Sequence, residues 1–254
     1  MPPRARDRSK GDLAQSRPLA GKHGILASIL EPHLCGHIWP TSGMMSKRKA
    51  VNWHKQSLAY YRYTSNRPPR ELLLQTLLHL EWEKKSRRGL SAIDLGFGAG
   101  TDTLELLKRG WRVLAIDRQQ TAAEFLSNRV PPRYRASLTM LVAPMEEVDL
   151  PQADLVYASY SLPFCPPDRF SEVWTKVRKA IRPGGHFAGQ LFGNRDSWRR
   201  NRAMSFHTRA QARELTRGLK LEMLRETDEE GMAFSGLKRW HFYDIILEKP
   251  LRSV

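Results

Sequence analysis

An apolar run that ends in an acid and then in spaced glycines limits the fold of this chain more than any other feature. Residues 91–103 read SAIDLGFGAGTDT. Ala92, Ile93, Asp94 and Leu95 fit a buried strand, and Gly96, Gly98 and Gly100 follow at its carboxyl end. Glycine admits positive φ and lets backbone approach a bound group with no Cβ in the way. In open α/β sheets, ligands bind at the carboxyl ends of strands where the strand order reverses.

The surrounding pattern agrees. PPRELLLQTLLHLEWEKK, from residue 68, opens with prolines suited to a helix start and carries leucines on a broad helical face. Strands are expected near 90–95, 111–117, 137–143, 153–159 and 185–192, with later ones near 220–226 and 238–248. Helices are expected near 100–109, 119–129, 168–182 and 208–218. Such alternation implies crossover units and an α/β, doubly wound, mostly parallel sheet of Rossmann-like type.

The glycine spacing separates two ligand classes. A dinucleotide fold wants Gly-x-Gly-x-x-Gly with a pyrophosphate on the helix N-terminus. Here the run is Gly-x-Gly-x-Gly, led by Asp94. A carboxylate repels a pyrophosphate but attracts a cationic ligand such as a sulfonium or ammonium. The next strand, WRVLAID, ends in Asp117, 17 residues beyond Gly100. That is close to the ~20 expected of an acid that grips ribose hydroxyls. The competing reading makes Asp117 a cap for the helix near Gln119.

With these motifs the chain resembles the class I S-adenosylmethionine-dependent methyltransferases over about residues 50–250. AIDLGFGAG resembles the motif that holds the methionine part of the cofactor, and LAID the one that holds its ribose. ADLVYASYSLPF resembles the motif beside the transferred methyl, and VRKAIRPGGHFAGQLF the late helix, turn and fifth strand. RWHFYDIILEKP suits the family's antiparallel last strand of seven. The nearest flavour is the small bacterial type named for tellurite resistance. The resemblance implies that Asp94, Gly96, Phe97, Gly98 and Gly100 meet the methionine end. It implies that Asp117 binds ribose, that Arg118 and Met145 flank adenine, and that Ser159 and Tyr160 border the methyl. Pro144 stands where the family often has an acid for the adenine amino group, and Glu146 is the substitute within reach. The implied activity is methyl transfer to a small molecule, with S-adenosylmethionine as cofactor and no metal. The motif after the fourth strand lacks the Asn/Asp-Pro-Pro-Tyr of enzymes that act on base amino groups.

No catalytic base is legible. Cys165, in LPFCPPD, reads as buried packing rather than a nucleophile. His241, beside Trp240, reads as a packed or hydrogen-bonded histidine. His207 reads as a helix cap or entrance residue, with general-base chemistry the sharper alternative. Asp196 follows the fifth strand and is a candidate to meet substrate. Trp53, Tyr60 and Tyr61 precede the domain, where they form either a cofactor lid or an amphipathic packing helix.

Composition bounds the rest. With 41% hydrophobic residues among 254, a packed core is within reach. Only Cys35 and Cys165 occur, which argues against a disulfide framework or cysteine-rich zinc site and favours the cytoplasm. No apolar run approaches the ~20 residues of a membrane span. Residues 1–45 read as a disordered basic tail, with Met44 and Met45 as alternative starts, and 46–254 as the methyltransferase domain. Residues 1–43 carry +3 of the formal +16, so the tail does not explain the charge. Basic clusters at Lys47–Lys49, Lys84–Arg88 and Arg199–Arg202 are short. They read as a solvated surface, with an RNA-directed or non-catalytic cofactor-binding protein as the alternative.

Overall fold

A computed structural model describes residues 57–83, 89–234 and 236–251. The expected tail, the paired methionines, Trp53 and the clusters Lys47–Lys49 and Lys84–Arg88 lie outside the described residues. Two helices come first, α1 over 57–65 and α2 over Glu71–Glu83. Then follow β1 (Ser91–Leu95), α3 (Thr101–Lys108), β2 (Arg112–Asp117), α4 (Gln120–Ser127) and β3 (Leu138–Val142). Next come β4 (Ala153–Ala158), α5 (Pro167–Ala180) and β5 (Ile181–Gly193). The short β6 (Phe206–His207), α6 (Arg209–Leu215), β7 (Lys220–Ala233) and β8 (Gly236–Glu248) complete the order.

The sheet runs β3-β2-β1-β4-β5-β8-β7, with β6 paired to β5. β1 to β5 are mutually parallel, and β8 is antiparallel to both β5 and β7. This is the expected doubly wound sheet of seven long strands with an antiparallel last one, plus the two-residue β6. β1 and β4 occupy its middle because they expose almost nothing: every β4 residue is buried, and so is all of β1 after Ser91. Strands covered on both faces read as continuous apolar runs. The strand order reverses between β1 and β4, so a crevice opens beyond their carboxyl ends.

Packing fixes the helices around that crevice. Leu73, Leu77 and Leu80 of α2 are fully buried. Each such leucine stabilises the fold by about 1.5–3 kcal/mol. They join Tyr61, Phe97 and Leu126 on one face of the sheet, and α5 covers the other with Phe170, Trp174 and Val177.

Several boundaries differ from the sequence expectation, β5 starting at Ile181 and α6 ending at Leu215 among them. The helix expected to reach 182 ends at Ala180, and Ile181 pairs with Ala153. Arg182 precedes Pro183, and a residue before proline is pushed out of the helical region. β7 runs on past 226 to Ala233. Its polar TDEEG stretch hides the strand, which charge holds instead: Asp228 accepts hydrogen bonds from Arg239 and Arg195, both at 2.7 Å.

Candidate functional site

A cavity of about 1060 Å³, its open mouth included, lies in the crevice and is lined from α1 by Tyr60, Tyr61 and Thr64. Asp94, Gly96, Phe97, Gly98, Asp117, Arg118, Met145, Glu146, Ser159 and Tyr160 all line it. Gly100 is not among the lining residues.

The glycine turn and the second strand are tied together. The Gly96 amide donates to the Ile116 carbonyl at 2.6 Å. The Gly98 amide donates to Asp117 Oδ2 at 2.9 Å, and the Gln119 amide to Oδ1 at 2.9 Å. The Asp117 carboxylate therefore helps hold the start of α4 and also braces the turn. A carboxylate has about four acceptor sites, so capacity remains on the cavity side. Burial raises the Asp117 pKa, against the pull of these amides and of Arg118.

Gly98 and Gly100 are bare for different reasons. Gly98 has φ +52°, and a Cβ there would meet nothing within 4 Å. The space over it is open cavity. Gly100 has φ +75°, and its Cβ would strike Leu126 Cδ1 at 2.4 Å. Its bareness serves the contact between the turn and α4, not the cavity.

Asp94 is 3% exposed, and Thr103 Oγ1 donates to its Oδ2 at 2.6 Å. Burial raises its pKa to about 7; the Thr103 bond opposes the rise, and the charge of Asp102 adds to it. A cation brought nearby would favour the ionised form.

Sequence reasoning missed three charged lining residues. Arg67 donates to both oxygens of Asp102, at 3.0 and 2.8 Å. Asp102 also accepts from the Arg70 amide at 3.0 Å and the Tyr157 hydroxyl at 3.2 Å. Burial alone would raise the Asp102 pKa, but Arg67 holds it below the usual carboxylate range. The Arg70 guanidinium lies over the Tyr160 ring, 4.4 Å from its centroid. The available signal was PPRE, which marks a helix start and places an arginine there.

Tyr160 has φ 51°, unusual for a residue with a side chain. A buried chain secures it: its amide donates to Gln190 Oε1 at 3.0 Å, and Gln190 Nε2 donates to Asp244 Oδ1 at 2.8 Å. Beside it, the buried Ser161 Oγ has no hydrogen-bond partner among the described residues.

The other candidates lie elsewhere, since none lines the cavity. Cys165 is buried, and burial pushes its thiol up to about 12. His207 sits 4.5 Å from the Phe170 ring, and burial lowers its pKa to about 4. The cap of α6 is Thr208, with a capping box to Gln211. His241 Nδ1 accepts from the Arg195 amide, and its Nε2 lies 2.9 Å from Glu226 Oε1. Asp196 is buried and takes both its oxygens to Lys238, at 2.8 and 3.0 Å. The Lys238 ammonium is held between the rings of Trp198 and Trp240, 3.7 and 3.6 Å from their centroids.

Strand order, glycine turn and paired acids define a doubly wound α/β protein with a binding crevice at its switch point. Comparison with known proteins narrows that class. Residues 92–185 match the family described as "Methyltransferase domain". Magnesium-protoporphyrin O-methyltransferase of Rhodobacter capsulatus is 32% identical over 91 residues, 36% of this chain. The chain spans 41% of the length of that relative. TehB from Haemophilus influenzae superimposes with a TM-score of 0.59 at 13% identity, over 76% of this chain and 67% of that one. The Burkholderia thailandensis 1,6-didemethyltoxoflavin-N1-methyltransferase, solved with bound 1,6-didemethyltoxoflavin and S-adenosylhomocysteine, gives 0.56 at 18% identity, over 83% and 94%. The chain has the fold of these solved methyltransferases, and its residues 92–185 match the methyltransferase-domain family.

The residues present fit the cofactor of the class. The open space over Gly98 accepts a ligand against bare backbone, and the orphaned Ser161 Oγ is a polar atom awaiting one. Buried Asp94 favours a cation rather than a phosphate. Among the described residues, no helix is long and apolar enough to cross a membrane.

Proposed function

We propose that this chain transfers a methyl group from S-adenosylmethionine to a small-molecule acceptor in the cytoplasm, through a domain spanning 46–254. The observation that carries the reading is the bond between the Gly98 amide and Asp117 Oδ2, at the floor of a cavity that Asp94 also lines. The relatives support it: one is named for magnesium-protoporphyrin, another for 1,6-didemethyltoxoflavin.

Bound S-adenosylmethionine supplies an electrophilic methyl on a sulfonium. Asp94 contributes negative charge on the methionine side, and Gly96, Phe97 and Gly98 form the backbone wall there. Asp117 accepts from ribose hydroxyls, while Arg118, Met145 and Glu146 bound the adenine. Ser159 and Tyr160 border the acceptor and align its nucleophilic atom. Held there, the cofactor would supply the methyl group that this atom accepts. Among the described residues, no histidine lines the cavity. The protein's work is alignment and exclusion of water.

The test is incubation of the protein with methyl-labelled S-adenosylmethionine and, separately, a low-molecular-weight metabolite fraction or total RNA. Label is expected in the metabolite fraction. Label in RNA alone would overturn the acceptor class and restore weight to the basic surface.

A further inference from the structure

Three neighbouring strands bring one metal-binding side chain each to a single place outside the cavity. His186 of β5 pairs in register with Glu248 of β8, and Glu248 pairs in turn with Lys220 of β7. Residues directly opposite on adjacent strands share one face of the sheet. Glu222 joins them through an irregularity. The β7 register shifts between Leu221 and Met223, so Glu222 is an extra residue with no partner on β8. Such a bulge re-aims a side chain. Here the Glu222 carboxylate reaches across β8, and its Oε2 lies 3.2 Å from His186 Nε2.

The His186 side chain is fully buried, and that of Glu222 is only 10% exposed. Despite its approach to the imidazole, Glu222 Oε2 has no hydrogen-bond partner among the described residues. A buried carboxylate oxygen in that state is costly unless a donor or a cation reaches it. One ligand atom from each of His186, Glu222 and Glu248 lies within 4.8 Å of the other two. Zinc bonds of about 2.0–2.2 Å in a tetrahedral array set ligands about 3.5 Å apart, so short side-chain adjustments close the triangle.

Charge favours the same occupant. Two carboxylates balance a divalent cation, and an imidazole completes a nitrogen and oxygen set that suits zinc. The positive charge now beside them is Lys220, whose ammonium lies 2.7 Å from Glu248 Oε2 and 3.4 Å from Glu222 Oε1. The Lys220 side chain is 60% exposed, so it can swing into water at little cost. Glu248 ends β8 and Lys220 begins β7, and none of the four residues lines the cavity.

We propose that His186, Glu222 and Glu248 form a zinc site, with water as the fourth ligand, that pins β5, β8 and β7 together. The ion is structural. The methyl-transfer reading neither needs it nor depends on it.

The test is calorimetric titration of the full chain, stripped with EDTA, with zinc chloride. Saturable one-to-one binding is expected, and zinc should raise the melting temperature. Glu222→Gln and Glu248→Gln should each weaken binding at least about tenfold, because a carboxamide keeps the shape and loses the charge. Lys220→Gln should strengthen it, since the competing ammonium is gone. His186 is too deeply buried to be the first choice of variant; should Glu222→Gln also fail to fold, Glu248→Gln and Lys220→Gln still decide. Three results would overturn the proposal. One is the absence of saturable zinc binding in the stripped wild type. Another is affinity unchanged in the glutamine variants of the two glutamates, which would place the ion elsewhere. The third is affinity that fails to rise in Lys220→Gln.

Discussion

The Gly98 amide donates to Asp117 Oδ2 at 2.9 Å, so the turn after β1 and the end of β2 form one rigid unit. Replacing Asp117 therefore removes the brace of the turn and, on the proposed function, an acceptor for ribose hydroxyls. Asp117→Ala is expected to weaken S-adenosylhomocysteine binding by roughly 1.5–3 kcal/mol. Unchanged affinity in titration would mean that the acid is only a helix brace.

The bare glycines should respond differently to a side chain. Gly98→Val places a branched group in the open space over the turn, and cofactor affinity should collapse while the fold persists. Gly100→Ala drives a methyl into Leu126 at a positive φ and should cost stability instead, about 1–3 kcal/mol. Urea unfolding and titration of both variants separate the effects. Equal loss of stability in the two would contradict the assignment.

On the proposed function, Asp94 should make cofactor affinity pH-dependent. Burial raises its pKa in the folded protein to about 7, from the ordinary aspartate value of 3.8. The empty cavity thus ionises as pH rises through about 7, and a cationic ligand prefers that form. Affinity for S-adenosylmethionine should rise over about pH 6–8, with a shallower slope for S-adenosylhomocysteine, which lacks the sulfonium charge. The stability of the empty protein runs the other way. A raised pKa gives a contribution fully present below the ordinary carboxylate value and lost as pH rises through the folded one. Thermal melts of the empty protein across this range check the sign. Flat binding profiles in wild type, matching those of Asp94→Asn, would contradict the role.

Arg67 and Asp102 form a nearly enclosed pair, with side chains 16% and 6% exposed. Asp102→Ala strands the arginine, and stability should fall by roughly 3–5 kcal/mol. Arg67→Ala in the same background should recover part of the loss. A cost below about 1 kcal/mol would place the pair among ordinary surface bridges.

The sheet was legible because central parallel strands advertise themselves as apolar runs, and the turn because its glycines sit beside an acid. Ala92–Leu95 and Ala153–Ala158 are such runs. What local pattern could not carry was long-range pairing. Arg67 meets Asp102 across 35 residues, and Asp196 meets Lys238 across 42. No spacing rule announces either. Asp196 looked poised for substrate because it follows a strand, yet the lysine behind it comes from β8. Gly100 looked like Gly98 in sequence, and only the position of Leu126 distinguishes them. Tyr60 and Tyr61 line the cavity from α1, and Tyr61 also packs in the core.

The central claim is that the cavity between the glycine turn and Asp117 is an S-adenosylmethionine site. The most direct measurement is isothermal titration of the purified chain with S-adenosylmethionine, S-adenosylhomocysteine and NAD under identical conditions. The account predicts saturable one-to-one binding of the first two, lost in Gly98→Val, and no binding of NAD. Binding of NAD without the other two, or S-adenosylmethionine binding that survives Gly98→Val unchanged, would contradict it.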